Sequence, residues 1–130
     1  MMFHGPRKYS IAHCTTGQYE GRKMILDADI EKAVDWLRDN AEDAAKSRAY
    51  RIYLEEYRKS LKAMIMAEHK DKPVSAQERE AYSDERYIQH LDILRIAVEE
   101  DEKKRFLRMA AEAKIEAWRS LSANHRAVKL

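Results

Sequence analysis

Apolar residues recur along most of this chain in alternating steps of four and three. Ile30, Val34, Leu37, Ala41 and Ala44 form one series; Tyr50, Leu54, Tyr57, Leu61 and Met64 form a second. Such spacing gathers side chains on one side of an α-helix and gives a heptad-like seam. The phase shifts between the two series, near Arg48, which reads as a stutter that changes the local winding of a coiled coil. No Gly or Pro interrupts the stretch from Asp29 to His69. The spacing therefore predicts one helix over 29–69, about 60 Å long at 1.5 Å per residue, with Asp27 or Asp29 accepting from the free N–H groups of its first turn.

Residues 70–75 read as the connection, because Pro73 lacks an N–H and disfavours helix at Lys72. Ser75-Ala76-Gln77-Glu78 matches a capping box and predicts a second helix over 76–121. Within it Tyr87, Leu91, Leu94 and Val98 keep the 4, 3, 4 spacing, and Phe106, Met109, Ala113, Ala117 and Leu121 resume an apolar series. Ser83 offers a cap for a fresh start at a kink near Ser83-Asp84, and Asn124 a terminator. Between the apolar series, Glu99, Glu100 and Asp101 each precede a base by four residues (Lys103, Lys104 and Arg105). That orientation stabilises a solvated helix face by roughly 0.2–0.5 kcal/mol per pair. A loop this short returns the second helix alongside the first. The fold class expected is all-α: a long antiparallel helical hairpin over residues 24–130, preceded by a non-helical N-terminal arm, residues 1–23.

Two helices alone make a thin layer. Trp36, Ile52, Tyr53, Ile65, Met66, Ile88, Ile93, Ile96, Phe106, Ile115 and Trp118 all lie off the seam, and contiguous exposed apolar patches mark interaction sites. A homodimer or larger homo-oligomer is expected to complete a helical bundle, with Trp36, Tyr53, Ile65, Ile93, Phe106 and Trp118 as its interface.

Composition supports this picture. The 130 residues suit one domain. With 45% hydrophobic residues the chain is too apolar for disorder driven by low hydrophobicity, although 37% are charged. All three Gly (Gly5, Gly17, Gly21), Pro6 and the single cysteine, Cys14, fall in the first 23 residues. One cysteine excludes an internal disulfide and suits a reducing cytosolic compartment. No apolar run approaches the ~20 residues that span a bilayer, and MMFHGPRKYS lacks the apolar core of a secretory signal. A cytoplasmic protein with no membrane partner is expected.

The net charge of +2 conceals a pattern. Residues 1–23 carry +3, from Arg7, Lys8, Arg22 and Lys23 against Glu20. Residues 24–102 hold 13 basic and 20 acidic side chains, a net −7, and residues 103–130 carry +6. The last segment supplies the candidate nucleic-acid-binding residues Lys103, Lys104, Arg105, Arg108, Lys114, Arg119, Arg126 and Lys129, since cations displace counterions from phosphate backbones. The same cations also complement the dipole at a helix C-terminus. Tyr50, Tyr53 and Tyr57 lie beside Arg48, Arg51 and Arg58, a combination that stacks nucleobases, but core and interface packing accounts for it more simply.

Catalytic chemistry finds little support. His13-Cys14 is the one pairing of metal-ligand types, and structural zinc needs four ligands, so no metal or other cofactor is expected. There is no Gly-rich phosphate loop, no nucleophile elbow and no Glu-x-x-His pair. The helical carboxylates sit among Lys and Arg with no evident enclosed cleft to shift them.

The segment Glu116-Ala117-Trp118-Arg119-Ser120-Leu121-Ser122-Ala123-Asn124-His125-Arg126 resembles the end of small uncharacterised all-helical proteins encoded by phages and prophages, as does the acidic helix start from Ser75 to Tyr87. The likeness spans residues 30–126 and implies a phage accessory protein linked to DNA recombination or replication, acting in the host cytoplasm. It implies no catalytic residue. The function expected is a non-enzymatic helical interaction or scaffold protein that self-associates and binds another macromolecule, a protein. The alternative is a DNA- or RNA-binding accessory protein using the basic end of the second helix.

Overall fold

The computed structural model describes residues 25–128. They form three helices: α1 over Asp27–Ala67, α2 over Val74–Ser83 and α3 over Glu85–Val128. The all-α hairpin is as expected, with α1 (41 residues) antiparallel to α3 (44 residues) and each more than 60 Å long at 1.5 Å per residue. The expected arm, residues 1–23, lies outside the described residues.

The helix ends differ from the expected ones for identifiable reasons. Leu26 takes the cap position of α1, and the Asp29 carboxylate accepts from its N–H at 3.0 Å. A leucine side chain has no acceptor to return, so this is half of a capping box. The Ser75–Glu78 capping box does not form. Extended Pro73 caps α2, its carbonyl accepts from the N–H groups of Ala76 and Gln77 at 3.0 Å, and the Gln77 amide donates to the Lys72 carbonyl at 2.8 Å. Ser75 is thus already inside the first turn, and Glu78 pairs with Lys62 on α1 instead.

The kink expected near Ser83-Asp84 is a full break, because Asp84 is extended. Asp84 rather than Ser83 starts α3: its carboxylate accepts from the Arg86 N–H at 2.8 Å. The Ser83 hydroxyl donates back to the Arg79 carbonyl at 2.8 Å. Asn124 does not end α3, which runs on to Val128.

The seam on α1 keeps Ile30, Leu37, Ala44, Leu54 and Leu61 of the expected series but not Val34, Ala41, Tyr50, Tyr57 or Met64. A series of buried and half-buried residues runs Ile30, Ala33, Leu37, Asn40, Ala44, Ser47, Arg51, Leu54, Arg58, Leu61 and Ile65, with half-buried Asp29, Trp36, Glu55, Lys62 and Met66 beside it. The series follows unbroken steps of three and four, so the heptad repeat has no stutter. What shifts near Arg48 is the apolar flank. Val34 and Ala41 lie to one side of the seam; Tyr50, Tyr57 and Met64 lie to the other. On α3 the matching series is Tyr87, His90, Leu94, Ala97, Asp101, Lys104, Ala111, Ile115, Trp118 and Ser122. The expected apolar series Phe106, Met109, Ala113, Ala117, Leu121 faces outward instead.

The core has two parts. Where α2 folds over the closed end, Leu61, Ile65, Ala81 and Tyr87 cluster with Met66. Nearer the middle, Leu54 packs with Leu94 and Ala97, and Val98 covers them. Between these lies His90, the one buried polar side chain among the described residues, whose Nε2 sits 2.7 Å from the Leu54 carbonyl oxygen. A carbonyl only accepts, so Nε2 carries the hydrogen. This bond satisfies a buried polar ring and ties α3 to the α1 backbone. At the open end the Trp118 Nε1–H donates to Asp27 at 2.9 Å.

Ile65 is fully buried, at 0% exposure, whereas Ile88 is 50% exposed. Ile65→Ala should therefore lower unfolding free energy by about 2–5 kcal/mol, and Ile88→Ala should change it by no more than ~0.5 kcal/mol. Urea titrations followed by circular dichroism compare the two; equal effects would contradict the core assignment.

Candidate interaction surfaces

Polar residues occupy the middle of the seam, where a coiled coil normally holds leucine or isoleucine. Arg51 extends from α1 across to α3, reaching Asp101 at 3.1 Å and Glu102 at 3.0 Å, while its Nε holds Glu55 of its own helix at 3.0 Å. One turn further along, Lys104 bonds the Ser47 hydroxyl and pairs with Asp43 at 2.8 Å. Glu102 also pairs with Arg105 at 2.8 Å. The acid–base block read as a solvated face with pairs four apart is thus divided: Glu99, Glu100, Lys103 and Arg105 are exposed, while Asp101, Glu102 and Lys104 bridge the helices. A second cluster locks the closed end, where the Arg86 guanidinium grips Glu68 at 2.7 and 2.9 Å and Asp84 at 3.0 Å.

These partners perturb the carboxyl groups. Arg105, and then Arg51, hold Glu102 below the usual carboxylate range. Lys104 lowers Asp43, Arg86 lowers both Glu68 and Asp84, and Lys72 lowers Glu80. The guanidinium of Arg51 is pushed the other way, by Glu55 and then Glu102 and Asp101.

The hairpin has two chemically distinct flanks. Residues seven apart stack on one side of a heptad helix. Tyr50, Tyr57 and Met64 are so related on α1, with Trp36 fourteen before Tyr50 and Asp43 between; on α3 Ile93, Leu107 and Leu121 are fourteen apart, with Glu100 and Lys114 between. Trp36 and Leu107 line one cleft together with Lys114, which places both rows on the same flank. Tyr53 joins this tyrosine flank, stacked on Tyr57 with ring centroids 6.0 Å apart, and Tyr57 leans on His90 at 5.5 Å. On the other flank, Arg48 and Glu55 of α1 and Arg105 and Arg108 of α3 line a cleft of about 450 Å³ over the Arg51 cluster.

The candidate residues divide between these settings. Of the proposed interface, Tyr53, Ile93 and Phe106 are exposed, and Trp36 is half-buried on the tyrosine flank. Ile65 is not on the surface at all; it fills the closed-end core. Half-buried Trp118 is tied to Asp27 within the hairpin. Of the proposed nucleic-acid residues, Lys104 is spent within the seam, and Lys103 and Lys114 stand apart from the arginine cleft. Arg105 and Arg108 line that cleft, Arg119 pairs with Glu116 at 3.4 Å, and Arg126 reaches the Ser122 carbonyl at 3.4 Å. Lys129, Arg7, Lys8, Arg22, Lys23, His13 and Cys14 lie outside the described residues. Among those described, no three His, Cys, Asp or Glu side chains gather into a metal-binding group, and no helix is long and apolar enough to cross a membrane. Reading residues 103–129 as one basic cluster missed Arg48, which comes from the other helix; only the antiparallel register brings it there.

The lowered carboxyls set the pH dependence. Each contributes stability that is full above its unfolded pKa and is lost as pH falls through the lower folded value. The thermal midpoint should stay level from about pH 8 to pH 5 and drop below about pH 4.5. A midpoint unchanged at pH 3 would show that these pairs contribute nothing. No family model, curated protein or solved structure matches this chain.

Proposed function

We propose that this chain is a non-enzymatic helical interaction protein that pairs with a second copy of itself through the tyrosine flank and serves as a scaffold. The exposed apolar strip carries the reading. Tyr50, Tyr53, Tyr57 and Met64 on α1 and Ile93 and Ile96 on α3 are 37–61% exposed. Six side chains exposing half their surface present about 500–600 Å², at the upper end for a patch on a monomer. Beyond exposed Asp43 and Glu100 on the same flank, Trp36 and Leu107 add apolar surface toward the ~800 Å² per partner that a stable pair buries. A two-fold axis would bring each strip against its own copy, completing a four-helix arrangement. Tyrosine suits that place, since its ring packs while its hydroxyl stays at the wet rim.

The ionisable groups support the same reading. Those with perturbed pKa values are bonded to opposite charges that join helices or brace a helix end, so their chemistry serves the architecture. A phage accessory protein is the setting that the likeness of residues 116–126 suggests for such a scaffold.

In sedimentation equilibrium at micromolar concentrations the protein should run at twice its 15.3 kDa chain mass. Tyr53→Glu/Ile93→Glu should return it to the single-chain mass with helix content unchanged, because both residues face away from the core. A wild-type protein that stays at the single-chain mass would overturn the proposal.

A further inference from the structure

We propose that the flank opposite the tyrosines binds the phosphate backbone of single-stranded nucleic acid. This goes beyond self-association and does not depend on it. The site is the cleft over the Arg51 cluster, which draws on both helices. Five of its lining residues are cationic and three anionic, so it carries a net +2. Its floor, Arg51 and Lys104 with Glu55, Asp101 and Glu102, carries a net −1. The positive charge is at the mouth, where Arg48, Arg105 and Arg108 supply +3. Arg48 is exposed and has no ion pair among the described residues. Arg108 has only Glu112, at 4.0 Å. Arg105 shares Glu102 with Arg51.

Three guanidinium groups around one cleft suit phosphate, whose oxygens accept paired bonds from the planar fork. The cleft also continues into a row. Arg119 and Arg126 follow Arg105 by 14 and 21 residues, multiples of seven that keep them on the same flank, with Glu112 at the intervening seventh place and Glu116 paired to Arg119 at 3.4 Å. The row extends about 30 Å along α3, longer than a lone phosphate needs and suited to a polymer. The facing row of α1, seven and fourteen residues before Arg48, is Ala41 and Val34, which places no carboxylate opposite the arginines there.

The choice of a single strand comes from Phe106. It is 60% exposed, with the Arg105 guanidinium 5.1 Å from its ring centroid. An exposed ring beside a cationic groove gives an unpaired base a surface to stack on, which a base inside a duplex cannot use.

The test is fluorescence anisotropy with a labelled thymidine oligomer of about 15 nucleotides, near the upper site size of single-strand binders, titrated over a range of salt. The wild type should bind at low salt. Arg48→Gln/Arg105→Gln/Arg108→Gln should weaken binding at least ~10-fold and make the salt slope shallower by about 2, at roughly 0.7 for each phosphate left unneutralised. Lys32→Gln/Lys103→Gln/Lys114→Gln removes equal charge from the other flank and should cost less than about threefold. All six positions are exposed, and glutamine is a good helix former, so circular dichroism should be unchanged. Phe106→Ala should weaken the single strand and spare a duplex of equal length. No wild-type binding at low salt, or equal loss in both triple variants, would overturn the site. A duplex preferred over the single strand, with Phe106→Ala silent, would overturn the single-strand assignment.

Discussion

The antiparallel pairing of α1 and α3 turns on the charged middle of their seam. Arg51 is carried half-buried into a position that leucine usually fills, and it needs acceptors there because an unmet buried charge is costly. Asp101 and Glu102 are those acceptors, while Lys104 with Asp43 and Ser47 repeats the arrangement one turn away. Apolar side chains tolerate sliding by a turn; these pairs do not, since a shift of one heptad would leave acid and base without partners. A polar residue at a core position sets register at some cost in stability. The small apolar clusters around Leu54 and Ile65 provide attraction, and the charged centre selects one alignment among those the attraction permits.

That alignment has consequences on both flanks. It sets Tyr57 against His90 and puts the tyrosines of α1 on the same flank as Ile93 and Ile96, from residues more than 35 positions apart. It also brings Arg48 to the rim that Arg105 and Arg108 occupy. One seam thus separates a flank of exposed tyrosine and isoleucine from a flank of exposed arginine, and a pair formed through the first, as proposed, would leave the second facing outward on each member.

The sequence revealed the elements because composition and periodicity act locally: long uninterrupted helices, a loop at Pro73, a break near Ser83. It hid the seam. Tyr50, Tyr57 and Met64 share the apolar character of Leu54 and Leu61, so they read as core, while Ser47, Arg51 and Arg58 read as surface although they face α3. Hydrophobicity marks the face a helix buries only when that face is apolar, and here its middle is not. The Ser75–Glu78 motif misled for a different reason: Pro73 supplied the carbonyl and the extended geometry two residues earlier. Ile65 looked like an interface residue because α2 and its covering role were not visible in a two-helix reading. Arg48 could be joined to Arg105 and Arg108 only through the register, which no local pattern contains.

The most direct test of this account is a double-mutant cycle at the centre of the seam. Arg51→Leu and Asp101→Leu are made singly and together, and urea midpoints are compared. Arg51→Leu leaves half-buried Asp101 without its partner, Asp101→Leu takes one of the three carboxylates from Arg51, and each should lower the midpoint. The double variant replaces the pair with apolar volume and should be more stable than the sum of the single losses allows. Strictly additive losses would mean that Arg51 and Asp101 do not act on each other, and the charged centre would then not hold the hairpin in register.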